Sequence, residues 1–207
     1  MQSDYLDTIN YDYTGKKKST INKMLKIMSG QLRRDSDYIY IRHYMTTYQY
    51  VPLWVLMNVL TIGQLSKIYA SQKGRIQIKV CQDFGPLKVN EMGKMLAVMT
   101  KFRNVCAHND RLFDFRTKDA LLDRNIYERL LIPKEKGRYK YGKNDLYAQV
   151  IILKLLLTDE DFRAFFHDLK LCFKKYPVHK VILGKMGFPE NWERIGRIKK
   201  YTKQEMN

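Results

Sequence analysis

Residues 90–108 read NEMGKMLAVMTKFRNVCAH. Met92, Met95, Leu96, Met99 and Phe102 recur at helical spacing and share one face, and Asn90 can cap the helix they define. Upstream, Gly85-Pro86 breaks the chain, and residues 74–84 (GRIQIKVCQDF) fit no single element clearly. Residues 52–72 (PLWVLMNVLTIGQLSKIYASQ) are apolar nearly all round, with Pro52 suited to a first helical turn. They predict one central helix whose Trp54, Leu56, Met57 and Leu60 lie in the core. Residues 37–50 carry Tyr38, Tyr40, Tyr44, Tyr48 and Tyr50. The alternation in YIYIRHY fits a strand, but helical neighbours and the lack of a partner strand favour a helix from about Ile39. Residues 20–33 place Ile21, Met24, Leu25 and Met28 on a helical face. Residues 1–19 are polar and tyrosine-bearing, read as irregular, and end in Lys16, Lys17 and Lys18.

Downstream of residue 108 the pattern continues. Residues 133–145 (PKEKGRYKYGKND) predict a basic loop, and Leu146 to Leu157 a helix. Thr158 and Asp161 form a capping arrangement for the helix that follows, a short helix comes after Pro177, and residues 193–207 read as a basic tail. The expectation is an all-α fold. It has an N-terminal basic segment (1–36), a helical domain (37–192) and the tail (193–207). No repeat or low-complexity linker divides it.

The balance of 38 Lys and Arg against 21 Asp and Glu gives +17 on 207 residues. Apolar residues make up 45% and aromatics 13%, which excludes a disordered polyelectrolyte. Only 11 Gly and 5 Pro argue against a turn-rich β sandwich. Such a charge calls for an anionic partner, nucleic acid or an acidic membrane surface, or else for a tolerated self-repulsion. Cys81, Cys106 and Cys172 are widely spaced with no CxxC pair, so neither a disulfide framework nor a zinc ribbon is supported. The polar N-terminus is no secretory signal, and the apolar run Val51 to Ile62 is too short to span a bilayer. A soluble cytoplasmic protein is expected.

The candidate chemistry sits where the long helix ends, in FRNVCAHNDRL (102–112). Arg103, Asn104, His108 and Asn109 gather polar groups at one helix terminus. Five residues of regular helix turn about 500°, leaving Arg103 and His108 roughly 140° apart and about 7.5 Å along the axis. One ideal helix does not aim both at one atom: either the helix deforms or ends between them, or a second copy supplies the other half. Arginine and histidine suit RNA cleavage. Imidazole titrates near neutral pH and can take or give a proton, while a guanidinium forks onto phosphate oxygens. A bare R-x4-H is short enough to arise by chance, and alone it reads as a structural cap.

Three stretches give that motif its context: VPLWVLMNVLTIGQLSKIY (51–69), FRNVCAHNDRLFD (102–114) and MGFPENW (186–192). With them the chain resembles the Abi-like (abortive infection, AbiF/AbiD-type) family of the HEPN ribonuclease superfamily. The resemblance implies a helical bundle and a metal-independent endoribonuclease, acting as a homodimer with R-x4-H from each chain in a shared cleft. It implies a setting in prokaryotic phage defence or toxin–antitoxin control, in which a structured small RNA is a possible partner. Carried over, the motif arginine is Arg103, the polar residue after it Asn104, and the histidine His108. Family members usually carry a further helical region before the part matching residues 1–40, so a separate N-terminal polypeptide is a possible partner.

Other features are weighed against plainer readings. Asp159, Glu160 and Asp161 resemble metal ligands but fit the first turn of a helix, where acidic residues are favoured electrostatically, so neither metal nor cofactor is expected. His43 reads as packing among tyrosines; His167 and His179 look ordinary. Lys134, Lys136, Arg138, Lys140 and Lys143, interleaved with Tyr139 and Tyr141, can track phosphates while bases stack on tyrosine, or can be a solvated loop. The RNA-contact candidates are Asn109, Lys16, Lys17, Lys18, Lys136, Arg138, Tyr139, Lys140 and Lys143. The alternative to a nuclease is a non-catalytic protein that holds a structured small RNA. No helix-turn-helix signature supports DNA binding.

Overall fold

The computed structural model describes residues 2–202. The chain forms two compact units, one up to Val80 and one from Cys81 on. The expected segment 1–36 and the first part of the expected 37–192 domain thus share a unit. Both units are helical.

The first unit contains α1 (Gln2–Leu6), α2 (Lys17–Gln31), α3 (Ile39–Thr47), α4 (Leu53–Met57), α5 (Ile62–Ser71) and α6 (Gly74–Asp83), which runs past its end. Ile21, Met24 and Met28 of α2 are buried together with Ile41, Val55, Leu56, Leu60 and Ile68. The reading of residues 1–19 as irregular is corrected. They hold α1 and a 3-10 turn (Thr8–Asn10), and Tyr11 bridges to Gln72. Tyr5 and Tyr11 are buried because their hydroxyls find backbone carbonyls, Tyr5 OH donating to Val51 O and Tyr11 OH to Tyr5 O, each at 2.7 Å.

The single helix expected over 52–72 is also corrected. Pro52 is the N-cap of α4, and the chain turns at residues 58–60 before α5 begins. The cause is a capping box. Gln64 N donates to Thr61 Oγ1 at 3.2 Å while Thr61 N donates to Gln64 Oε1 at 2.7 Å. The break keeps Leu56 and Leu60 in the core but leaves Trp54, expected there, 66% exposed.

The second unit is built on α7 (Val89–Ala107), α8 (Asn125–Arg129), α9 (Leu146–Leu156), α10 (Asp159–Lys175) and α11 (Lys180–Lys185), with α9 packed against both α7 and α10. The N-cap of α7 is Lys88 rather than Asn90, because Glu91 reaches back to accept from Lys88 N at 2.7 Å. Glu91 is buried against Arg124 as an ion pair. The buried stripe of α7 is Met92, Met95, Val98, Phe102 and Val105, facing Ala148, Ile151, Ile152 and Leu155 on the nearly all-apolar α9. Thr158 caps α10 as expected, accepting from Asp161 N at 3.1 Å.

Two expectations fail in this unit. The basic loop holds a hairpin, β1 (Lys134–Glu135) and β2 (Arg138–Tyr139), pairing Lys134 with Tyr139 and Glu135 with Arg138. Its two turn residues, Lys136 (φ 50°) and Gly137 (φ 76°), are both left-handed, the backbone twist that two-residue hairpins prefer. Nor is 193–202 a solvated tail. A 3-10 turn (Trp192–Gly196) packs on Phe166, Arg129 donates to Lys199 O at 2.7 Å, and the buried Tyr201 donates to Phe84 O at 2.8 Å. The tail is held through backbone carbonyls, which hydropathy does not register. Residues 203–207 lie outside the described range.

Leu131 carries backbone strain. Ile132 N donates to Tyr127 O and Leu131 N to Glu128 O, so α8 ends in a Schellman turn with Leu131 at φ 54°. Leucine is disfavoured there by about 1–2 kcal/mol, and Leu131 is 61% exposed, with little packing to lose. Leu131→Gly is therefore expected to raise stability by about 0.5–1 kcal/mol, after the backbone entropy of glycine is charged against it. Urea unfolding checks this, and a lowered midpoint refutes it.

Candidate functional site

The C-terminus of α7 is set by backbone hydrogen bonding. His108 is the C-cap, its N–H still bonded to Asn104 O at 2.9 Å. Asn109 N donates to Cys106 O at 3.2 Å and Asp110 N to Val105 O at 3.0 Å, which together make a Schellman turn. Asn109 supplies the left-handed residue that this turn requires, at φ 54°. Asparagine tolerates that conformation better than most side chains, which gives Asn109 a backbone role in addition to its expected contact with RNA.

The helix therefore runs on from Arg103 to Ala107, with His108 as its C-cap. The backbone of His108, φ −93° and ψ 5°, does not swing the imidazole round to the guanidinium. Arg103 and His108 are both exposed, and Asn104 is half-buried between them. Arg103 makes one weak contact, Nη1 to Asn104 Oδ1 at 3.4 Å. Among the described residues no carboxylate pairs with Arg103 or His108. Arg111, eight residues on, is clamped by Asp114 through both nitrogens of its fork, and that pairing holds the Asp114 carboxyl below its usual range. The turn beyond folds back through Phe115, edge-on to Phe102 at 5.1 Å. The polar helix end is therefore a fixed feature with one arginine neutralised and the other available. Four cavities of this unit are lined by other residues. Among the described residues no cluster of His, Cys, Asp and Glu could hold a metal ion. Asp159, Glu160 and Asp161 occupy the first turn of α10.

The remaining candidates divide. Lys16, Lys17 and Lys18 belong to the first unit, at the start of α2. All three are exposed, with Lys17 bonded to Asp12 at 2.5 Å and Lys18 over the Tyr13 ring. Lys136, Arg138 and Lys140 are exposed on and beside the hairpin. Tyr139 is corrected as a stacking platform. It is 7% exposed, stacked on Tyr127 at 4.7 Å with Lys134 over its ring, so a base has no face to reach. Lys143 is corrected as a ready phosphate contact, because it is mostly buried, paired with Asp123 and laid over the Tyr127 ring. Ring stacking between α8 and the hairpin is a long-range event that the local sequence does not signal.

The fold and site thus define an all-α protein with an uncompensated Arg–Asn–His group at an exposed helix end. A family model described as Abi-like protein matches residues 1–114, more than half the chain, and the chain belongs to that family. Membership places it in the setting of abortive infection and phage defence. Comparison with curated proteins and with solved structures gave no significant match. Among the described residues no helix is long and apolar enough to cross a membrane.

Proposed function

We propose that this protein is a metal-independent endoribonuclease of HEPN type. The observation that carries the reading is that Arg103 and His108, at the end of α7, are exposed with Asn104 half-buried beside them, and that among the described residues neither pairs with a carboxylate. In the reaction, a base removes the proton of a ribose 2′-hydroxyl and the 2′-oxygen attacks the adjacent phosphorus. The bond to the 5′-oxygen breaks, and an acid returns a proton to that oxygen. The products are a 2′,3′-cyclic phosphate and a free 5′-hydroxyl. His108 serves as the acid or base, Arg103 holds the charge that builds on the phosphoryl oxygens, and Asn104 orients the pair.

A single imidazole cannot give and take at both oxygens in one step. A homodimer with two copies of the α7 terminus facing each other supplies two, and it joins the angularly separated Arg103 and His108 across a twofold axis. The surface lysines and arginines add salt-sensitive affinity for the substrate backbone.

RNA incubated with the purified chain in excess EDTA is expected to be cut, leaving 2′,3′-cyclic phosphate ends that accept a 3′ adaptor only after opening and dephosphorylation, and 5′-hydroxyl ends that accept a 5′ adaptor only after phosphorylation by a kinase. Loss of cutting on chelation, or products bearing 5′-phosphates, contradicts the mechanism. A preparation that retains a discrete RNA at fixed stoichiometry, seen in its 260/280 absorbance ratio, and cuts nothing identifies an RNA-holding protein instead.

A further inference from the structure

The first unit leaves a chain of aromatic rings in solvent. On α3 the residues Tyr40, His43 and Tyr44, with Tyr48 at the C-cap, fall at i, i+3, i+4 and i+8, one side of the helix, while Ile41 is buried. The loop after α3 turns through Gln49 at φ 53°, and α4 brings Trp54 up to the same rings. His43 meets Tyr48 edge-on at 5.9 Å, Tyr48 lies 5.5 Å from Tyr44, and Tyr44 meets Trp54 edge-on at 6.1 Å. Tyr48 and Trp54 are 61% and 66% exposed. Burying a ring of this size is strongly favourable, so contiguous rings left outside mark a surface with a partner.

Charge identifies the partner. From Tyr38 to Val80 the sequence has no Asp or Glu; just before that stretch Asp37 is exposed and Asp35 is paired with Arg33. Arg42 is exposed on α3 and makes no ion pair among the described residues. The unit as a whole carries 12 Lys and Arg against 5 Asp and Glu. Such a surface repels a second copy of itself and attracts a polyanion. Tyr48 and Trp54, mostly in solvent, offer ring surface to flat, unstacked bases, while Tyr44 is partly buried against the core; a duplex keeps its bases stacked and offers none.

We propose that His43, Tyr44, Tyr48 and Trp54 form a platform on which unpaired bases of single-stranded RNA stack, with Arg42 meeting the backbone. This names the substrate class for the reading above and rests on it.

The test uses the full chain and a 2′-O-methyl oligouridine 12-mer, which cannot be cut by 2′-hydroxyl attack, together with a 2′-O-methyl duplex of equal length. The chain has two tryptophans, and Trp192 is 7% exposed, so Trp54 reports on the surface. The single strand is expected to quench tryptophan emission and to bind more tightly than the duplex. Trp54→Ala is expected to weaken binding about tenfold or more, as loss of one base stack does elsewhere. Trp54→Phe is expected to abolish the quenching while retaining most of the affinity. The proposal is overturned if single strand and duplex bind alike. It is equally overturned if Trp54→Ala and Tyr48→Ala bind as wild type does, or if sedimentation shows a dimer that Trp54→Ala dissociates. Because the probe is uncleavable, these results stand apart from the nuclease reading, which fails separately if ordinary RNA binds here and is never cut.

Discussion

His108→Ala is expected to lower the rate of RNA cleavage by about 10²–10⁴-fold, the usual contribution of a positioned acid or base. The substitution should leave the fold intact. His108 is exposed, and what it gives to the end of α7 is its backbone N–H to Asn104 O, which alanine also supplies. Arg103→Ala is expected to fall by a comparable factor, because removing a donor aimed at developing oxyanion charge costs about 10²–10³. Arg103→Lys keeps the charge but loses the fork, so it should recover only part of that loss. Arg111→Ala is the informative control. Its guanidinium is already spent on Asp114, so cleavage should change little. If the two imidazoles serve one cleft across a twofold axis, mixing His108→Ala into wild type lowers activity by more than the share of wild-type chains replaced, since each mixed dimer holds a single His108. Activity that survives both single substitutions removes the nuclease reading altogether.

The helices were largely legible in the sequence. The apolar face of α2 and the cap at Thr158 follow from spacing alone; on α7 spacing finds Met92, Met95 and Phe102, while Leu96 and Met99 are half-buried and Val98 and Val105 complete the buried stripe. The division of 52–72 into two helices was equally present, written in the Thr61–Gln64 capping pair, but a run of apolar residues masked it. That masking moved Trp54 from the expected core to the surface. Tyr139 went the other way, because a short basic segment reads as solvated until Tyr127, distant in sequence, is seen to cover it. The polar residues of the α7 terminus were found by type and family resemblance. Sequence could not show that Asp114 neutralises Arg111 and leaves Arg103 without such a partner, since that depends on how the turn folds back through Phe115. Nor could spacing show why the third stretch of resemblance, MGFPENW, matters. Its residues are joined to the rest of the unit by contacts spanning 45 and 61 positions.

Gly187→Ala is expected to destabilise the second unit by about 3–5 kcal/mol, combining backbone strain with overpacking. Gly187 has φ 87°, and it closes a Schellman turn after α11 in which Phe188 N donates to Leu183 O and Gly187 N to Gly184 O. A methyl group there would drive into the carboxyl of Asp145. Asp145 cannot give way. It is buried and caps α9, accepting from Ala148 N at 2.9 Å and from Gly142 N through both oxygens, at 3.0 and 2.8 Å. On the far side of the turn, Phe188 packs on Tyr147 and Trp192, and Tyr147 OH donates to Trp192 O at 3.1 Å. Since α9 carries the surface that α7 packs against, the lock reaches the helix bearing Arg103 and His108. Denaturant unfolding should show a lower midpoint, and a double-mutant cycle with Asp145→Ala should show the two losses to be less than additive, because removing the carboxyl makes room for the methyl. A loss under about 1 kcal/mol, or strict additivity, would mean that the turn yields. The same carboxyl gives the lock a pH signature. Burial pushes Asp145 up from 3.8 to about 6 against the pull of its backbone donors. Between those values the folded chain keeps a proton that the unfolded chain has released, so stability falls as pH rises from 4 to 6, by on the order of 3 kcal/mol, and is level above. Asp145→Asn keeps a capping oxygen and cannot titrate, so this part of the slope should vanish in that variant while it persists in wild type.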